Sequence, residues 1–325
     1  MFKFCFLILH YFLKKITGFR IGSQIAFIIW LVPAIILSGL NAVPTPEPAV
    51  PSIRGKIIQT EDVYGTFYTY APTASSAETG IIVLIHGTPA KEATAEQTAF
   101  FYIEGWKDFA EKQGLLLISP AFNQEDFSSR EGDHALGGYR GLFGREIPAD
   151  EWVLRLVKAH QKAFGLPDRP FYLYGHSAGG QYVGRFLVTH PKQVKGAVIS
   201  SAATYPQPNP EVAWPFGMGS LNDDIEWDEK TKNHVDIIPD KQKWLGATQV
   251  PLTVIVGLND TAELTQYPGQ KGNNRFGIAR AWVLDMGKFA EENGFKSKFK
   301  IEIIPGKGHS MSQLIPYSQK ALFPK

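Results

Sequence analysis

Residues 80–85 (GIIVLI) and 115–119 (LLLIS) are short apolar runs that lack the polar alternation of a strand with one wet face. Runs of this kind are strands buried on both faces, as in a parallel sheet covered by helices on two sides. The rest of the chain agrees with that constraint. Residues 171–174, 196–200, 252–256 and 299–304 supply four more short apolar runs. Between them, 93–113, 151–164, 178–189, 276–293 and 311–321 carry helical periodicity, and Gly165 and Pro167 close the second of these. Upstream, 53–59 and 63–70 read as two further strands, antiparallel to each other. Strands alternating with helices need crossover connections, so the expected fold class is α/β with a mostly parallel, doubly wound sheet. Two regions break the rhythm. Residues 122–148 are glycine-rich and loop-like. Residues 202–246 hold Trp214, Trp227 and Trp244 and read as a cap-like insertion over the sheet, either a lid or pocket wall or a packed aromatic cluster.

The first forty-two residues are of another kind. They contain Lys3, Lys14, Lys15 and Arg20, no acidic residue, and the apolar run 25–37 (IAFIIWLVPAIIL). A basic start, an apolar centre and small residues up to Ala42 read as a secretory signal peptide. An uncleaved N-terminal anchor is the alternative, although the run is shorter than the roughly 20 residues of a membrane span. Residues 43–52 follow as a proline-rich linker, and 53–325 as the folded domain. The formal charge of +2 belongs to this leader: without its four basic residues, 29 bases face 31 acids. Either balance is too small to call for nucleic acid as a partner. Cys5 is the only cysteine, which rules out an internal disulfide and any multi-cysteine metal site. The expected location is therefore secreted or periplasmic, with membrane contact only through an uncleaved anchor.

Gly175-His176-Ser177-Ala178-Gly179 lies between a strand and a helix, the context that gives G-x-S-x-G its meaning. A strand turning sharply into a helix strains its middle residue and raises the serine hydroxyl beside a helix N-terminus. The plain alternative is a tight glycine turn whose serine caps the helix. A serine hydroxyl needs a base, and the base needs an orienting acid. Asp260 follows the run 252–256 within GLND, and His309 follows 299–304 within GKGH. In an open α/β sheet such loops converge on one crevice. Alternatively Asp260 is a turn or cap residue and His309 a surface histidine; Asp223, Asp224 and Asp228 are rival acids within the insertion. Two backbone N–H groups should receive the oxyanion: that of Ala178, and that of Thr88 in His86-Gly87-Thr88-Pro89, since Pro89 has none. His86 is expected to hold this loop rather than act as a base. Residues 271–275 (KGNNR) read as a polar surface loop. Glu131, Asp133 and His134 lack recognised metal-ligand spacing and read as loop polarity.

HGTP, GHSAG, GLND and GKGH in this order resemble the α/β-hydrolase superfamily over residues 53–322. The stretch 172–181 (YLYGHSAGGQ) is similar to secreted bacterial esterases related to polyhydroxybutyrate depolymerases. The resemblance implies a cofactor-free serine hydrolase, with Ser177, His309 and Asp260 catalytic, Thr88 and Ala178 in the oxyanion hole, and no metal. Its partner would be a small-molecule or polymeric ester. A peptidase or amidase would use the same residues, and a non-catalytic binding protein of this fold would normally have lost one.

Overall fold

A computed structural model describes residues 54–74, 76, 78–127, 138–221 and 240–324. The expectations for the leader, the linker, Glu131, Asp133, His134, Asp223, Asp224, Asp228 and Trp227 lie outside these residues. Among the described residues the strands are β1 (Ile57–Asp62), β2 (Gly65–Tyr70), β3 (Ile81–Ile85), β4 (Leu116–Pro120), β5 (Phe171–His176), β6 (Val194–Ser200), β7 (Leu252–Gly257) and β8 (Phe299–Ile304). The helices are α1 (Ala95–Gln113), the single turn α2 (Gln124–Phe127), α3 (Ala149–Ala163), α4 (Ala178–Thr189), α5 (Lys241–Thr248), α6 (Arg275–Glu292) and α7 (Met311–Leu322). One sheet runs in the order β1-β2-β4-β3-β5-β6-β7-β8. Only the β1–β2 and β2–β4 pairs are antiparallel.

Every residue of β3, β4 and β7 is buried, and alternation sends their side chains into two separate cores. Ile81, Val83, Ile85, Leu116, Ile118, Val254 and Val256 join one core, with α3, α4 and α6. Ile82, Leu84, Leu117 and Ile255 join the other, with α1 and α7. The unbroken apolar runs have this cause: neither face of the strand reaches water. Each core is anchored by large aromatics, Trp152 and Trp282 on one side and Trp106 on the other, all at 0% exposure.

One expectation is corrected. Residues 63 and 64 are a turn rather than the start of a strand. Asp62 Oδ1 accepts the N–H groups of Tyr64 and Gly65 at 2.8 and 3.0 Å, which closes the hairpin early and leaves Val63 exposed. The described part of 202–246 ends in α5. Asp240 caps α5, its carboxylate accepting from the Gln242 N–H at 2.9 Å, and α5 is an ordinary crossover helix between β6 and β7. Trp214 and Trp244 are buried in the core of α3 and α4, and Trp214 Nε1 donates to the Gly141 carbonyl at 3.2 Å. No described helix is long and apolar enough to cross a membrane.

Candidate active site

The β5–α4 junction is built around close backbone approach. Ser177 has φ 56° and ψ −117°, the strained geometry expected of the middle residue of G-x-S-x-G. A Cβ at Gly175 would stand 2.2 Å from the Gly179 carbonyl oxygen, and one at Gly179 would stand 2.0 Å from that of Ile85. Neither position tolerates any other residue without moving backbone. Ser177 occupies the N-cap of α4 yet makes no side-chain cap bond. Its Oγ instead lies 3.1 Å from His309 Nε2.

The structure brings His309 and Asp260 to this hydroxyl from the neighbouring strands β8 and β7. His309 Nδ1 is 2.8 Å from Asp260 Oδ2. The two loops are bound to each other, the Asn259 N–H donating to the Lys307 carbonyl at 2.8 Å. The Asp260 side chain is 2% exposed and that of His309 34%, so the acid is enclosed while the imidazole faces the solvent side. Burial pushes the Asp260 carboxyl upward. The hydrogen bond with His309 and the positive charges of His309 and Arg275 outweigh burial and hold it below its ordinary value.

Arg275 is the residue that sequence reasoning missed. Its Nη1 donates to Asp260 Oδ1 at 3.0 Å, on the oxygen that His309 leaves open. The 271–275 stretch is therefore not simply a polar surface loop: Asn274 caps α6 by accepting from the Gly277 N–H at 2.9 Å, and Lys271 pairs with Asp285 at 2.8 Å. Nothing in the KGNNR string marks its arginine as the partner of an aspartate 15 residues upstream.

The loop after β3 stands beside the serine because β3 pairs with β5, Ile85 opposite Gly175. His86 is fully buried and fixes this loop. Its Nε2 accepts the Phe122 N–H at 2.9 Å, which leaves the proton on Nδ1 to be donated to the Gly87 carbonyl at 2.7 Å. Burial pushes its pKa down to about 4, in keeping with a neutral ring. The Gly87 N–H donates to the Tyr102 hydroxyl at 2.8 Å, and a Cβ on Gly87 would lie 3.4 Å from Ser177 Cβ. The N–H groups of Thr88 and Ala178 have no acceptor among the described residues. Beneath the serine, His176 Nδ1 lies 3.0 Å from Ser200 Oγ, and its ring centroid is 4.8 Å from that of His309. Burial, aided by the His309 charge, pushes the His176 pKa down to about 3. A cleft of about 400 Å³ opens beside Thr88, with Lys91, Asn123, Gln124 and Arg140 among its walls.

The fold has counterparts among solved structures. A poly(aspartic acid) hydrolase from Sphingomonas sp. KT-1 superposes with a TM-score of 0.62 at 20% identity, covering 83% of this chain and 100% of that one. A poly(3-hydroxybutyrate) depolymerase from Bordetella parapertussis superposes with a TM-score of 0.62 at 22% identity, covering 82% and 88%. The chain has the α/β-hydrolase fold. No protein-family model matches it, and no curated protein matches it in sequence. In α/β-hydrolase terms, β5 and α4 form the elbow that carries Ser177. The crevice lies at the carboxyl ends of β3, β5, β7 and β8.

Proposed function

We propose that the protein is a secreted serine hydrolase that cleaves carboxylic esters through an acyl-enzyme. The observation that carries this reading is the continuous hydrogen-bonded line from Ser177 Oγ through both nitrogens of His309 to Asp260, at 3.1 and 2.8 Å, on a strained elbow. Ser177 Oγ attacks the ester carbonyl carbon while His309 Nε2 takes the hydroxyl proton. Asp260 holds the imidazole with its proton on Nδ1 and stabilises the imidazolium. The carbonyl oxygen becomes an oxyanion and accepts the N–H groups of Thr88 and Ala178. His309 then returns its proton to the leaving alcohol as the C–O bond breaks, leaving an ester on Ser177. Water, deprotonated by His309, attacks that ester. The carboxylic acid leaves and Ser177 recovers its proton. No step calls for a cofactor or metal.

The substrate is a small-molecule or polymeric ester that enters the cleft beside Thr88. Poly(3-hydroxybutyrate), a polyester, and poly(aspartic acid), a polyamide, belong in the substrate panel, because each is named for a solved structure of similar fold. The leader, 1–42, directs export, so the exported chain begins near residue 43. A fluorophosphonate probe tests the chemistry directly. Wild type should be labelled at Ser177, and Ser177→Ala and His309→Ala should not. An unlabelled wild type overturns the reading. A panel of short and long acyl esters, both polymers and peptides then separates esterase from amidase. Intact-mass measurement of the exported protein reads the cleavage site.

A further inference from the structure

We infer that Arg275 is a positioning residue for the reaction, holding the orienting acid ionised and aimed at the imidazole; the inference rests on the Ser177–His309–Asp260 reading. Arg275 is the first residue of α6, where the helix dipole presents its positive end and a cation is disfavoured. The first turn of α6 contains no acidic residue to compensate. Its side chain is only 14% exposed, and its Nε is buried without a hydrogen-bond partner. Three local costs therefore fall on one residue. Its one ion pair among the described residues, to Asp260 Oδ1, is what offsets them. An arginine needed only to start a helix would not be found there.

The connection from β7 to α6 is shaped to deliver this contact. After Asp260 the chain runs outward, then folds back, with the Leu264 N–H donating to the Asn273 carbonyl at 2.8 Å. Gly272 turns the chain at φ 101°, where a Cβ would stand 2.7 Å from the Gly277 carbonyl carbon. Asn274 then caps the helix and Arg275 meets the aspartate. With Oδ1 held by Arg275 and Oδ2 by His309, the carboxylate cannot rotate without breaking a charged hydrogen bond. Two other titratable groups feel the charges of the pair, His176 from β5 and Tyr205 from the loop after β6. His176 and Tyr205 are buried and neutral, burial raising the Tyr205 hydroxyl far above its ordinary value. Arg275 is thus the cation in direct contact with Asp260.

The test uses the full chain with Arg275→Met and Arg275→Lys. Removing the cation should raise every nearby ionisation. The acid limb of the kcat/KM–pH profile should then move up by about one unit in Arg275→Met. A freed carboxylate should also lower kcat roughly 10-fold with little change in KM. Arg275→Lys should recover most of the acid-limb position. In a Ser177→Ala background, the low-field NMR resonance of the His309 Nδ1 proton should persist with Arg275 and broaden with Met. If Arg275→Met lowers the melting temperature but leaves both the acid limb and that resonance unchanged, the arginine is only a helix anchor and the inference fails. Loss of activity in Ser177→Ala shows that the reaction reading stands in that case. Retained activity in Ser177→Ala would instead overturn the reading itself.

Discussion

The two halves of the site are held by different forces. At the serine corner, where β3, β5 and α4 meet, position comes from backbone pressed on backbone, with Gly175 and Gly179 leaving no room for a Cβ. At the histidine–aspartate corner, where β7, β8 and α6 meet, position comes from polar and charged side chains: Asp260 between His309 and Arg275. Steric positioning is insensitive to pH and intolerant of added volume. Electrostatic positioning tolerates small changes of volume but responds to every change of charge, even an isosteric one. A substitution should therefore damage stability and activity together at the first corner, and separately at the second.

His309→Ala makes the sharpest break. It should lower kcat by about 10⁴-fold or more while leaving the melting temperature nearly unchanged, read by steady-state kinetics and calorimetry on the same preparation. Asp260→Asn keeps the shape and removes the charge. It should lower kcat by about 10⁴-fold, since an asparagine can settle the imidazole in the wrong tautomer. Gly179→Ala adds one methyl at the other corner. There stability should fall by about 3 kcal/mol by urea denaturation, and activity should fall with it, because a Cβ would meet the Ile85 carbonyl oxygen at 2.0 Å. A stable, inactive Gly179→Ala would erase the distinction between the corners.

The smallest effect concerns pH. His86 and His160 are buried, and burial pushes both pKa values down to about 4 from an ordinary 6.5. Between those values the unfolded chain binds more protons than the folded one. Stability from these rings is therefore complete above about pH 6.5 and is lost as pH falls toward 4. His160→Gln should reduce the slope of melting temperature against pH across that window. It also weakens the bond between the His160 ring and Thr69 Oγ1, 2.8 Å in the native chain, so its melting temperature should be lower at pH 8.

What the sequence discloses divides along the same line. β3, β4, β7 and the elbow are local: an apolar run states that both faces are covered, and five consecutive residues state the turn. Asp260 and His309 were readable because each closes a strand in the expected order. Arg275 was not, because its meaning depends on a carboxylate brought to it by the return of the chain from residue 261 to 274. The hairpin between β1 and β2 was misread for a related reason. Val63 has strong strand propensity, but the Asp62 carboxylate captures the next two N–H groups and takes that residue out of the sheet. The tryptophans of 202–246 left a lid and a packed aromatic cluster equally open, because burial of Trp214 and Trp244 depends on helices elsewhere in the chain.

Strand order has a last consequence. β6 carries neither Ser177, Asp260 nor His309, yet it lies between β5 and β7, so Ser177 and Asp260 follow strands two spacings apart, on the order of 10 Å. In sequence, Thr88, Ser177 and Ala178 all precede β6, while Asp260, Arg275 and His309 all follow it. The chain is thus bipartite, each part chemically inert by itself on the proposed reading. Any activity on that reading therefore reports that β6 and β7 have paired.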